Sequence, residues 1–221
     1  LSETFHKTLN AFYKSMKKTS PLEEASEEDS EELLSTIKLL VDQLDQYKNT
    51  LQNNKNEFQK LQEQQKFMFG DKKQFSNEVT KLQLDYSTHG LESTEKGLAM
   101  MHFTYNLFTA AQEGKILQEF QANAQGNESY ISDNFSEIAV FKKYTKEEYT
   151  FPHNDEIKKY YPDAYAHLEK IKAFYGIFYE VMEDHVRGDE ESAAYKATKL
   201  QENALALNTD YKDLLKDDVE K

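Results

Sequence analysis

Residues 33–68, LLSTIKLLVDQLDQYKNTLQNNKNEFQKLQEQQKFM, decide the fold class. From Leu33 a series at alternating steps of four and three runs through Ile37, Leu40, Leu44, Tyr47, Leu51, Asn54, Phe58, Leu61, Gln65 and Met68. Nine of these eleven positions are apolar or aromatic, so the rhythm is a heptad seam sustained over five heptads. It predicts a helix about 50 Å long, at about 1.5 Å of rise per residue. The polar members Asn54 and Gln65 cost stability but fix the register. The same rhythm occurs earlier as Phe5, Leu9, Phe12 and Met16, and returns as Phe75, Val79, Leu82 and Tyr86. Near the end it reads Ala193, Ala197, Leu200, Ala204, Leu207, Tyr211 and Leu214.

One period repeated in four segments predicts an all-α fold: an elongated antiparallel helical bundle of five to six helices with coiled-coil (heptad) packing. A single domain over 1–221 is expected. The 38% hydrophobic content, with 14 Phe and 14 Tyr, is enough for a real core despite 30% charged residues. Seven Gly and three Pro leave few sharp turns, which disfavours sandwiches, barrels and Gly-loop nucleotide folds.

Local punctuation divides the chain. Ser20-Pro21 ends a first helix over 1–19, because Pro disfavours helical backbone in the residue before it. Seven acids between Glu23 and Glu32 read as a solvated run into a helix N-terminus, where carboxylates complement the macrodipole. A helical hairpin over 25–88 follows, turning at Gly70-Asp71, with Asp71 as N-cap. His89-Gly90 marks an interruption, and a broad apolar helix over 91–124 carries Leu98, Met101, Tyr105, Phe108, Leu117 and Phe120. Residues 126–155 are irregular, with a short helix around Phe135 to Tyr144 and then Phe151-Pro152-His153-Asn154-Asp155. Irregular segments of this length in a bundle are functional or mobile. Pro162 opens the aromatic helix of the segment 156–187, and Gly188-Asp189 closes it and caps a last helix over 189–217.

A formal net charge of −13 argues against nucleic acid as a partner, since phosphate binding needs a concentrated Lys/Arg surface. The absence of Cys excludes disulfides, zinc-thiolate sites, iron–sulfur clusters and Cys nucleophiles. No stretch approaches the roughly 20 apolar residues that span a bilayer. The chain begins at Leu1 without Met, so removal of an N-terminal segment is expected, and a membrane link only through such a removed anchor.

Among the six His, the pairs His89/Glu92 and His185/Asp189 have helical ligand spacing, as do the carboxylates Glu180/Asp184, while His167 and Glu169 point apart. None forms a His-Glu-x-x-His or paired Glu-x-x-His signature, so no metal site and no cofactor is expected. His102 sits among Met100, Met101, Phe103 and Tyr105, where a ligand role competes with a plain, partly buried histidine. No Gly-rich phosphate loop or Gly-x-Ser-x-Gly elbow occurs, and no catalytic residue is expected. Phe151, Tyr160, Tyr161 and Tyr165, with Phe174, Tyr175, Phe178 and Tyr179, crowd aromatics into under 30 residues. Only half a helix can face a core, so part of this set is expected to line a groove or surface suited to protein or glycan contact.

The run Lys159-Tyr160-Tyr161-Pro162-Asp163-Ala164-Tyr165, in a Cys-free, Lys-rich, acidic helical chain, resembles the Tyr-rich, Pro-capped helix start of some helical-bundle surface lipoproteins of low-GC Gram-positive bacteria. The resemblance implies a lipid-anchored surface protein without catalytic residues; the lipid-bearing Cys of that group is not in this chain. The expectation is a non-enzymatic extracytoplasmic binding or scaffolding module, membrane-anchored or secreted. Its partner would be a protein or cell-envelope component, met through Phe151, Tyr160, Tyr161, Tyr165 and His102. Alternatives are a small-ligand or metal-binding bundle with a pocket near His102, and an intracellular coiled-coil adaptor or secretion chaperone whose open seam dimerises.

Overall fold

The computed structural model describes residues 27–65 and 71–205. Helix α1 is Glu27–Gln64 and α2 is Asp71–Ala124. Short α3, Ser129–Asp133, leads into a 3-10 helix, Phe135–Thr145. Then come α4, Asn154–Tyr160, α5, Pro162–Val186, and α6, Glu190–Leu205. The fold is all-α, with no strand among the described residues. No described helix is long and apolar enough to cross a membrane. The expected helix over 1–19, the turn residue Gly70 and the end of the last helix lie outside the described residues. Among the described residues, contacts separate a hairpin unit within 32–102 from an aromatic unit that takes in 27–31 and 103–205.

Three contacts fix the register of the hairpin unit. Gln65 Nε2 donates to Ser76 Oγ and Thr80 Oγ1, each at 2.7 Å. A Cβ at Gly90 would stand 3.4 Å from Leu51 Cδ1, and Lys48 Nζ lies 3.9 Å from a Glu95 carboxylate oxygen. The inward stripe of α1 recurs every seventh residue, with Ile37 and Leu51, and Gln65 just past its end, buried and Leu44 and Phe58 half-buried; Leu34, Val41, Lys48 and Lys55 lie half-buried beside it. Only one of the two positions of the expected heptad seam is therefore covered. Leu40, Tyr47 and Leu61 are exposed.

Helix α2 departs further from expectation. Val79, Leu82 and Tyr86 are exposed, Tyr86 by 75%, and the buried stripe is Thr80, Ser87, Leu91, Thr94 and Leu98. Small hydroxyl side chains let two helices approach closely, and Thr94 satisfies its own hydroxyl by donating to Gly90 O at 2.7 Å. The helix also runs unbroken through His89-Gly90, which corrects the expected break and the start at residue 91. One glycine inside a helix costs about 1 kcal/mol against alanine, a penalty that packing of the flanking buried turns overrides.

In the aromatic unit, α5 touches α3, the 3-10 helix, α4 and α6. It buries Leu168, Ile171, Phe174, Tyr175, Phe178 and Met182 along one broad stripe. Phe141 of the 3-10 helix meets Tyr175 and Phe178 edge-on, with ring centroids 4.9 and 5.5 Å apart. Such contacts add to area burial about 0.5–1.5 kcal/mol each. The Tyr175 hydroxyl donates to Ala110 O on α2, joining α5 to that helix. At Gly176 a Cβ would fall 2.6 Å from Tyr144 O, so glycine is what lets the end of the 3-10 helix lie on α5.

The expected 156–187 segment is two helices. Tyr161 at φ −137°, ψ 70° separates α4 from α5, as the residue before a proline is pushed out of helical backbone. At the other end, Gly188 takes φ +81° and Asp189 Oδ1 accepts the Ser192 N–H at 3.1 Å. The closing glycine and capping aspartate thus stand where the sequence places them. Beneath that turn Asp184, fully buried, accepts from Lys196 Nζ and Ser192 Oγ, each at 2.8 Å, and from Arg187. Burial alone would raise its pKa, but these donors outweigh it and hold the carboxyl below its ordinary range.

Candidate functional site

The irregular expectation for 126–155 resolves into two short helices and a loop, and the loop is built to hold its shape. Lys172 Nζ on α5 donates to Glu147 O at 3.1 Å and Tyr149 O at 2.7 Å. Asn106 Nδ2 on α2 donates to Pro152 O at 2.8 Å. Between these ties Phe151 turns inward, its ring 5.8 Å from those of both Tyr144 and Tyr149. The loop therefore carries an apolar anchor and three bonds to its carbonyls.

Behind it lies a buried carboxylate. Glu113 on α2 accepts Lys143 Nζ at 2.7 Å and the Tyr144 hydroxyl. Burial, with the Glu113 charge beside it, drives the Tyr144 phenol far above its ordinary range, so it stays a neutral donor. Tyr149 is shifted upward by burial first and Glu113 second. Lys143 also lies over the Tyr144 and Tyr149 rings, 5.0 and 5.9 Å from their centroids.

Residues 149–156 enclose a concavity of about 360 Å³. Two local costs are concentrated on its wall. His153 adopts φ 58°, ψ 29°, a left-handed conformation uncommon for a residue with a side chain, and its Nδ1 lies 3.0 Å from Glu156 Oε2. Its neighbour Asn154 holds Oδ1 buried with no hydrogen-bond donor among the described residues. An unmet buried acceptor costs about 1–3 kcal/mol, and strained backbone of this kind about the same. Such strain persists only where the surrounding structure holds it in place. Asp155 and Glu156 give the rim negative charge.

The aromatic set singled out by sequence divides by depth. Phe151 and Tyr161 are core residues, which corrects their expected place on an exposed surface: one anchors the loop, the other fills the joint before Pro162. Tyr160 and Tyr165 are half-buried, covered by Lys159 and Lys158 at 5.0 and 5.1 Å from their ring centroids. Phe174, Tyr175, Phe178 and Tyr179 are buried on α5. His102 is buried on α2 as the last residue of the hairpin unit. Sequence reasoning passed over Asn106, Glu113, Lys143 and Lys172, because their partners lie 23 to 46 residues away in the chain. The irregularity of the run Pro152-His153-Asn154 is the one sequence signal that points to this loop. No protein-family model, no curated protein and no solved structure matches this chain.

Proposed function

We propose that the chain is a non-enzymatic binding module acting outside the cytoplasmic membrane, and that it meets a protein or cell-envelope partner through the 149–156 loop. The observation that carries this reading is the preorganised concavity, with left-handed His153 and the unmet Asn154 acceptor on its wall. A preformed loop loses little entropy on binding. Tyr160 and Tyr165, half-exposed beside the start of α5, extend the contact surface.

The test is photo-crosslinking in the source cell, with benzoylphenylalanine in place of Thr150, which is exposed on the loop. A discrete adduct in the envelope fraction that weakens when His153→Ala and Glu156→Gln are added, at unchanged Tm, is the expected result. Adducts confined to the cytosol would overturn the location. A pattern indifferent to those two substitutions would overturn the site.

A further inference from the structure

Seven of the ten large hydrophobic side chains exposed among the described residues belong to the hairpin unit. On α1, Leu40, Tyr47 and Leu61 occupy one heptad position, with Asn54 completing the series. At about 3.6 residues per turn this strip lies on the flank of the hairpin away from the Lys48–Glu95 pair. Val79 and Tyr86 on α2 fall on that same flank.

The flank is also nearly free of charge. The positions beside the strip on α1 are Thr36, Gln43, Thr50, Glu57 and Gln64, and the one acid, Glu57, has Lys60 Nζ at 3.2 Å. In a chain with 30% charged residues and a net charge of −13, two copies repel over most of their surface. A neutral strip is where they can approach.

We propose that this strip is a self-association surface, on which α1 of a second copy lies parallel and in register. Identical layers then meet, Leu40 with Leu40, Tyr47 with Tyr47, Leu61 with Leu61. Asn54 meets its own copy, an arrangement in which a single polar layer selects register and two-strandedness. From Leu40 to Leu61 the seam is about 32 Å long, and a strip about 10 Å wide gives about 300 Å² per copy. That is well below the roughly 800 Å² per partner of a stable complex, so the dimer is reversible and depends on concentration.

Sedimentation equilibrium of the full chain, from micromolar to near-millimolar concentration, should show the mass rising from 25.8 kDa toward twice that value. The double variant Tyr47→Lys/Leu61→Lys should remain monomeric with unchanged helical circular dichroism, because both side chains are already exposed. The natural absence of Cys makes single-cysteine variants unambiguous. Under copper–phenanthroline, Leu40→Cys and Leu61→Cys should each give a covalent dimer, while Asp45→Cys on the far face of the helix should not. A monomer at every concentration, or equal cross-linking at Asp45→Cys, would overturn the surface. Cross-linking at Thr50→Cys alone would overturn the parallel register.

Discussion

His167 faces the interior of α5, with Nε2 unpartnered among the described residues. Burial first, and the nearby Lys170 charge second, lower its pKa from 6.5 to about 4. The folded state therefore holds the ring neutral, while the unfolded chain takes up a proton as pH falls below 6.5. Its contribution to stability is complete above that value and is lost progressively down to pH 4, by about 3 kcal/mol in all. Urea unfolding at about pH 7.5 and about pH 4.5 should show the wild type losing about 2.5 kcal/mol more than His167→Gln. Equal losses would mean that the ring is solvated. By spacing alone His167 is only a residue that points away from Glu169. Its burial was legible all the same, because it falls on the stripe of Ala164, Leu168 and Ile171. A histidine's partner or want of one is set by other elements, and periodicity carries no word of it.

At the scale of the element, Pro162, Gly188 and Asp189 show what local chemistry encodes without help. A fixed proline φ starts α5, a left-handed glycine ends it, and a side-chain carboxylate caps α6. Which stripe of a helix is covered was less legible. Residues 33–68 carry large apolar groups at three neighbouring heptad positions, so spacing alone fixes the period and leaves the phase open. The phase is set across the hairpin, where Thr80, Ser87 and Thr94 permit close approach and Val79, Leu82 and Tyr86 are turned outward. Gly176 shows the same dependence on a neighbour. Within α5 alone, Gly176→Ala would gain about 1 kcal/mol of helix propensity. The new methyl would instead meet the Tyr144 carbonyl, a backbone atom that no rotamer change can move. The 3-10 helix must shift, and overpacking of this kind costs about 1–3 kcal/mol. The expected outcome is a lower Tm and a loosened tyrosine near-ultraviolet signal, since Tyr144 and Tyr149 are in ring contact. A raised Tm would show that the two elements are less closely seated than described.

Across the molecule the two units are built from different materials. The aromatic unit closes on Phe120, Phe141, Phe174, Tyr175 and Phe178, all essentially without solvent contact. The hairpin unit closes on Ile37, Leu51, Leu91 and Leu98 separated by Gln65, Thr80, Ser87 and Thr94, with lysine stems at its edge. At about 25 cal/mol per Å² of apolar surface buried, the hairpin unit gains less per residue, and its polar contacts add only about 1 kcal/mol each. Backbone amides there should open more often, because local opening follows local burial. In native-state hydrogen exchange at low micromolar concentration, amides of residues 40–61 and 76–98 should exchange well before those of 164–184. Raising the concentration should slow exchange in 40–61 selectively if a second copy covers that strip, and leave 164–184 unchanged. Uniform protection across both units at every concentration would mean that the chain unfolds as one cooperative body. The difference in core composition would then have no energetic consequence.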